Sequence, residues 1–466
     1  MAEHLLFLTG HLARSRLERV LEDLKETAFS YEIVDIGVKV AALMTEEIIS
    51  RRLKPPLVAE RVILPGRYRG DLQRLTDRFG VPFVRGPDEV ADLPVFLGRV
   101  GKPVDLSRHD MRIFAEIVDA SALSLDALVK RAEKLAAAGA DVIDLGCLPQ
   151  TPFPHLGEAV ASLKAKGLQV SVDSASLEEL RTGAAAGADY LLSLTEETIG
   201  LFVKYGATPI LIPASPGDLD SLGRAVDAAE AAGISFIADP VLDPVHFGFA
   251  ASLARFIEAR RRWPHIPMMM GTGNLTELTD ADSSGVTALL AGLCSELSIQ
   301  NVLVVNVSPH TVRTVEEHDR ARRVMFAAKS DHALPRGYDA GLLQIHDRKP
   351  YPHSIEDIDM LAADVRDANF RIMTAPDGVH IFNGKGHRRA HDVFELFPEL
   401  GVETDGAHAF YLGAELTKAE IAWKLGKRYA QDEPLAWGVA APEKQEDRTR
   451  LAEAGHTLRT KKDVAP

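Results

Sequence analysis

The stretch from Gly139 to Leu194 constrains this chain most. GADVIDLGC and LQVSVDS each place an acidic residue, Asp144 and Asp173, at the end of an apolar run, and a second Gly-Ala-Asp opener follows at Gly187. A short apolar run that closes on a polar residue and then turns helical is how a barrel of parallel strands presents side chains at its C-terminal mouth. Both aspartates are therefore candidate site residues.

The pattern continues on either side. Candidate strands cover 113–121, 141–147, 168–174, 189–194, 208–214, 235–241, 267–273 and 301–308, separated for the most part by alanine-rich helical stretches such as LDALVKRAEKLAAAG and LEELRTGAAAG. Such a series over residues 109–334 has the length of one (β/α)8 barrel. Its strand ends would line the mouth with Asp119, Asp144 and Cys147, Asp173 and Ser174, Ser193, Asp239, Thr272 and Asn274, and Asn306 and Ser308.

Ahead of the barrel, residues 1–108 alternate strand and helix with Gly10, Gly37 and Gly66 at strand ends, the punctuation of a small Rossmann-like α/β domain. No G-x-G-x-x-G occurs, so a dinucleotide site is not signalled and a structural or substrate-covering domain is expected. Residues 335–466 read as a third, mixed α and β region. The expected fold class is α/β, with a central (β/α)8 TIM barrel between two smaller regions.

Composition narrows the function classes. With 53 Lys and Arg against 67 Asp and Glu, the formal charge of -14 disfavours nucleic acid and anionic membranes as partners. Cys147 and Cys294 cannot form a disulfide framework and suit a reducing compartment, so a cytoplasmic location is expected. The apolar run in MAEHLLFLTGHLARSR is too short for a signal-peptide core, and no segment approaches about 20 uninterrupted apolar residues, so neither export nor a membrane span is expected. Cys147 has no adjacent histidine and reads as a small strand-end residue.

GADVIDLGC, SVDSASLEELRTGAAAGADYLLSL and FIADPVLDPVHFGF resemble strand units of the pterin-binding barrels, the superfamily of dihydropteroate synthase and the methyltetrahydrofolate methyltransferases. The resemblance implies that Asp173 and Asp239 hold a pterin. A buried carboxylate can accept two parallel bonds from a 2-amino-pyrimidinone edge; capping of the following helix is the competing role. There are departures. Where dihydropteroate synthases have Ser-Arg-Lys and Arg-x-His at the last two strand ends, this chain has Gly273-Asn274-Leu275 and Val304-Val305-Asn306, and Asp119 and Leu192 stand where that family has asparagines. GTGNLTELTDADSSGVTALLAGLCSEL is similar to the seventh unit of the pterin methyltransferases, in which an asparagine at the Asn274 position contacts the pterin.

The segment Ala407 to Gly438 resembles the terminal motif of the corrinoid-carrying subunit of tetrahydromethanopterin S-methyltransferase, and reads as a strand followed by an amphipathic helix with Leu416, Ile421 and Leu425 apolar. His346, His353, His380, His387 and His391 read as loop histidines beside Lys349, Lys385, Arg388 and Arg389 rather than as a metal set. The resemblance implies a transferase of one-carbon metabolism, of the dihydropteroate synthase-like type found in tetrahydromethanopterin biosynthesis. It would join a dihydropterin methyl diphosphate to a phosphorylated arylamine, and a homodimer is compatible with the chain. Asp173, Ser174, Ser193, Asp239 and Asn306 would bind the pterin and Asn274 its ring edge. Asp119 would hold Mg²⁺ with the diphosphate, acting with Asp144 and Asn274 as catalytic groups. Arg313, or Arg348 and Lys349, would meet the phosphates, replacing the absent barrel cations. Methyl transfer to a corrinoid and non-catalytic pterin binding are the alternatives.

Overall fold

A computed structural model describes residues 3–24, 29–99, 104–201 and 203–441. The chain divides into two compact units, 1–339 and 340–466. In the first unit, β1 (Glu3–Thr9), β2 (Phe29–Asp35), β3 (Arg61–Leu64) and β4 (Phe83–Arg85) form a parallel sheet in the order β2-β1-β3-β4. Leu5 and Phe7 pack on one face, Leu6 and Leu8 on the other, as a sheet covered on both sides requires. The first helix begins at His11, directly after Gly10, where the carbonyls of Val38 and Lys39 accept the N–H groups of His11 and Leu12 at 2.8 and 3.2 Å.

The barrel consists of β5 (Arg112–Ile117), β6 (Val142–Gly146), β7 (Gln169–Asp173), β8 (Tyr190–Leu194), β9 (Thr208–Leu211), β10 (Ile237–Ala238), β11 (Met269–Gly271) and β12 (Asn301–Val304). All neighbours are parallel, β12 pairs with β5, and a bridge between Ala238 and Met268 joins β10 to β11. This is the expected (β/α)8 architecture. Several strands are shorter than their apolar runs. β5 stops at Ile117 rather than at residue 121, and β10 is cut off by Pro240, which has no N–H, and by Val241 at φ 69°.

Phe114, Val142, Tyr190, Leu192, Ile210, Ile237 and Met269 fill the barrel interior. Side chains alternate along a strand, so one step of two residues beyond these positions points Glu116, Asp144 and Asp239 into the same interior. At the opposite, N-terminal end, the two Gly-Ala-Asp openers do matching structural work. Asp141 accepts the N–H of Ile113 at 2.7 Å and Asp189 that of Val170 at 2.8 Å, each tying one strand entry to its neighbour.

In the second unit, β13 (Arg371–Ala375), β14 (Gly378–Asn383) and β15 (Gly386–Ala390) make an antiparallel meander beside the helix Gly406–Lys424. The strand expected at Ala407 is absent. Asp405 caps the helix by accepting the His408 N–H at 3.1 Å, and Leu412, Leu416, Ala419 and Ala422 recur at helical spacing on its buried side, whereas Ile421 is exposed. Nor are His380 and His387 loop residues. They are diagonal neighbours on β14 and β15, His380 opposite Arg389 and His387 opposite Phe382, with Nδ1 of His380 2.9 Å from Nε2 of His387.

Arg322, on the helix Thr314–Ser330, is buried at the base of the barrel. It donates to the carbonyls of Met111 and Gly139 at 2.7 and 3.0 Å and forms ion pairs with Asp141 and Asp319. Arg322→Ala removes the donor to two carbonyls and one ion-pair partner each from Asp141 and Asp319, which keep the Ile113 N–H and Arg323 respectively, and should cost up to about 3 kcal/mol of stability. Chemical denaturation checks this. A loss below about 1 kcal/mol would show that the tie is dispensable.

Candidate functional site

The strand register assembles the site. Glu116 on β5 lies level with Asp144 on β6, and Asp144 and Gly146 lie level with Ser171 and Asp173 on β7. A Cβ on Gly146 would stand 2.6 Å from Oε1 of Glu116, so the missing side chain makes room for the Glu116 carboxyl. Asp144 is fully buried. The Ser171 hydroxyl donates to its Oδ1, and its Oδ2 has no hydrogen-bond partner among the described residues. Asp173 accepts a hydrogen bond from the Ser193 hydroxyl at 3.1 Å. Ser193 reaches it because β8 shifts register between Leu191 and Leu194 and Ser193 adopts φ 71°, an irregularity that re-aims its side chain. Asp239 accepts the N–H of Val241 at 2.7 Å across the turn that ends β10. Arg255 holds that turn, donating to the carbonyls of Pro240 and Val241 and to Asp243.

Among the described residues, no lysine, arginine or histidine forms an ion pair with Glu116, Asp144, Asp173 or Asp239. Burial, and then the neighbouring Asp173, push the Glu116 carboxyl up to about 7. Burial also raises Asp239 to about 7, opposed by the Val241 N–H and more weakly by Arg255. Asp144 is driven well above the carboxylate range by burial and by Asp173 and Glu116. Asp173 rises through burial, with the Ser193 hydroxyl opposing. The cluster therefore retains protons near neutrality and offers both O–H donors and carboxylate acceptors in one space.

The remaining candidates have other partners. Ser174 donates to Glu179 at 2.5 Å and accepts the Ser176 N–H at 2.9 Å, closing the turn after β7. Asn274 donates to the carbonyl of Leu242 at 2.6 Å, linking the loops after β10 and β11. Asn306 sits in the loop after β12, where Glu277 accepts the N–H groups of Val307 and Ser308 at 2.7 and 3.0 Å. Arg313 pairs with Glu316 at 2.8 Å. Asp119 lies beyond the end of β5, is half exposed, and pairs at 3.2 Å with Arg131 on the helix Leu125–Ala137. Arg348 and Lys349 belong to the second unit. Among the described residues, no three His, Cys, Asp or Glu side chains are arranged to hold a metal ion. The Cys147 thiol is pushed up by burial and by Glu179 and Asp144, which leaves it a poor nucleophile.

The structure thus brings Asp144, Asp173, Ser193 and Asp239 together and adds Glu116, which the sequence reading missed. The signal was present. Running β5 on to residue 121 made Asp119 the terminal carboxylate, whereas a period of two counted from Phe114 points to Glu116.

Because Glu116 and Asp239 have raised values, the folded protein keeps protons that the unfolded chain releases between the usual carboxylate range and about 7. Stability of the ligand-free protein should therefore fall as pH rises through that window. Glu116→Gln should flatten the fall in melting temperature between about pH 5 and about pH 8. Parallel curves for the two proteins would contradict the assigned protonation.

Residues 3–88 match a family described as a family of unknown function, DUF6513. A Methanocaldococcus jannaschii protein described as "Uncharacterized protein MJ0107" is 24% identical over 527 residues, spanning 92% of this chain and 98% of that protein. Solved structures similar to this chain include a Yersinia pestis dihydropteroate synthase with a pterine-sulfa conjugate. It is 18% identical, covers 50% of this chain and 97% of its own, and has a TM-score of 0.37. The 7,8-dihydropteroate synthase of Vibrio fischeri is 18% identical with coverages of 48% and 94% and a TM-score of 0.38. The dihydropteroate synthase of Thermus thermophilus in complex with 6HMPPP is 21% identical with coverages of 47% and 94% and a TM-score of 0.36.

Proposed function

We propose that the barrel binds a reduced pterin and that the protein is a pterin-dependent transferase. One observation carries the reading: a buried Asp239 and a partly buried Asp173 stand at the ends of β10 and β7, and no cation pairs with either among the described residues. Burying such groups is costly unless a ligand supplies donors, and the 2-amino-4-oxo edge of a pterin supplies adjacent N–H groups at the spacing of one carboxylate. Ser193 and the Val241 N–H orient the two acceptors. Glu116 and Asp144, which retain protons, can donate to ring nitrogens or the carbonyl oxygen.

The reaction proposed is the dihydropteroate synthase-like condensation of a dihydropterin methyl diphosphate with a phosphorylated arylamine, within tetrahydromethanopterin biosynthesis. Departure of diphosphate requires stabilisation of its developing charge. Asp119 is one carboxylate already engaged by Arg131, so the residues present do not make a resident Mg²⁺ site and no step is assigned to that ion. A second reading, pterin binding or methyl transfer without a diphosphate leaving group, is favoured by the engagement of Arg255 with Asp243 and of Arg313 with Glu316.

Titration with a dihydropterin tests the binding. Asp173→Asn and Asp239→Asn should each weaken it by about 2–4 kcal/mol, because a charge-assisted paired acceptor becomes a half-mismatched amide. Unchanged affinity in both folded variants would remove the pterin. Diphosphate release from the pterin diphosphate plus the arylamine, measured with and without Mg²⁺, separates the two reactions: release supports condensation, and its absence leaves the second reading.

A further inference from the structure

We propose that the N-terminal sheet carries a second binding site, independent of the barrel, for a small carboxylic acid with an apolar body. The strand order β2-β1-β3-β4 reverses direction between β1 and β3. In open parallel sheets, the crevice outside the carboxyl ends of the strands at such a reversal is where ligands sit. A cavity of about 280 Å³ lies there, between Thr9 at the end of β1 and Leu64 and Pro65 at the end of β3. Leu12, Ala13, Val40 and Leu334 give it an apolar wall.

The usual occupant of this crevice, a phosphate on the first helix N-terminus, is blocked by the chain itself. The N–H groups of His11, Leu12 and Ala13 already bond to the carbonyls of Val38, Lys39 and Gly10. A Cβ on Gly10 would stand 2.7 Å from the backbone of Val38 and Ala41, which shows how tightly that segment covers the turn.

Positive charge comes from side chains instead. Arg67 and Arg336 share the single carboxylate of Glu89, at 3.5 and 2.6 Å. Arg16, stacked 4.2 Å over the Tyr338 ring, shares Asp331 with Arg19. Each carboxylate thus serves two guanidinium groups, leaving the arginines in excess even with Asp88 counted in the wall. A guanidinium offers a planar fork that matches a ligand carboxylate, and the apolar wall takes the body of the molecule.

The test is calorimetric titration of the full chain with 3-phenylpropionate and, separately, with 3-phenylpropanamide, which has the same body without the charge. The acid should bind saturably with a one-to-one stoichiometry, and the amide at least about tenfold more weakly. Ala13→Trp, which fills the cavity, should abolish acid binding while leaving the melting temperature and dihydropterin binding unchanged. If that variant fails to fold, Val40→Trp at the exposed rim serves in its place. No saturable binding of the acid, equal binding of acid and amide, or binding that survives the filling variant would each overturn the proposal. Because the readout is independent of the barrel, its failure is distinguishable from failure of pterin binding.

Discussion

Arg322 and Asp141 hold the entries of the first two barrel strands against the last barrel helix, and through β12 the same helix is tied to the strand that closes the ring. That lock sets the register of everything above it. With the entries fixed, Glu116 must lie level with Asp144, and Gly146 with Asp173. Side chains alternate with a period of two, so a slip of one residue on either strand would turn its carboxyl out of the barrel. The ties at the base are remote from the site, yet they decide whether its side chains converge.

Convergence has an electrostatic consequence. Four carboxyls share one low-dielectric space with Arg255 held in a turn beside them, so the protein keeps them neutral in part rather than charged and paired. A core built for stability alone would place apolar groups there. The scaffold accommodates the cost through local devices: the Ser171 hydroxyl on Asp144, the shifted register that brings Ser193 to Asp173, and the Val241 amide on Asp239. Among the described residues, Oδ2 of Asp144 remains without a partner, which marks where a donor from outside would be accommodated.

The barrel was legible in the sequence because each strand is a short apolar run closed by a polar residue, and both Gly-Ala-Asp openers stand at strand entries. The boundaries were less so. The expected strands run past the hydrogen-bonded ladder into residues 118–121 and 240–241, where a turn, a proline and a positive φ end the strand although Val118 and Val241 are apolar. This hid Glu116 and promoted Asp119. In the second unit, the segment from Ala407 reads as a strand leading into a helix, but the cap at Asp405 and the spacing of Leu412, Leu416 and Ala419 make it helical from its start. The histidines on β14 and β15 were missed as strand residues because the intervening Asn383-Gly384-Lys385 and the arginines around them read as polar loop.

The two sites of the first unit have opposite chemistry, and this bears on what each can take. The barrel interior carries acids with no paired cation among the described residues, so a ligand enters there by its donors and not by an anionic group. The cavity beyond β1 and β3 carries arginines in excess and an apolar wall, so a ligand enters there by an anion. A substrate bearing both a donor-rich ring and a diphosphate therefore meets favourable groups in the barrel for its ring alone. For the proposed condensation, the fate of the diphosphate is the deciding point, because it depends on cations that the barrel strands do not themselves supply among the described residues.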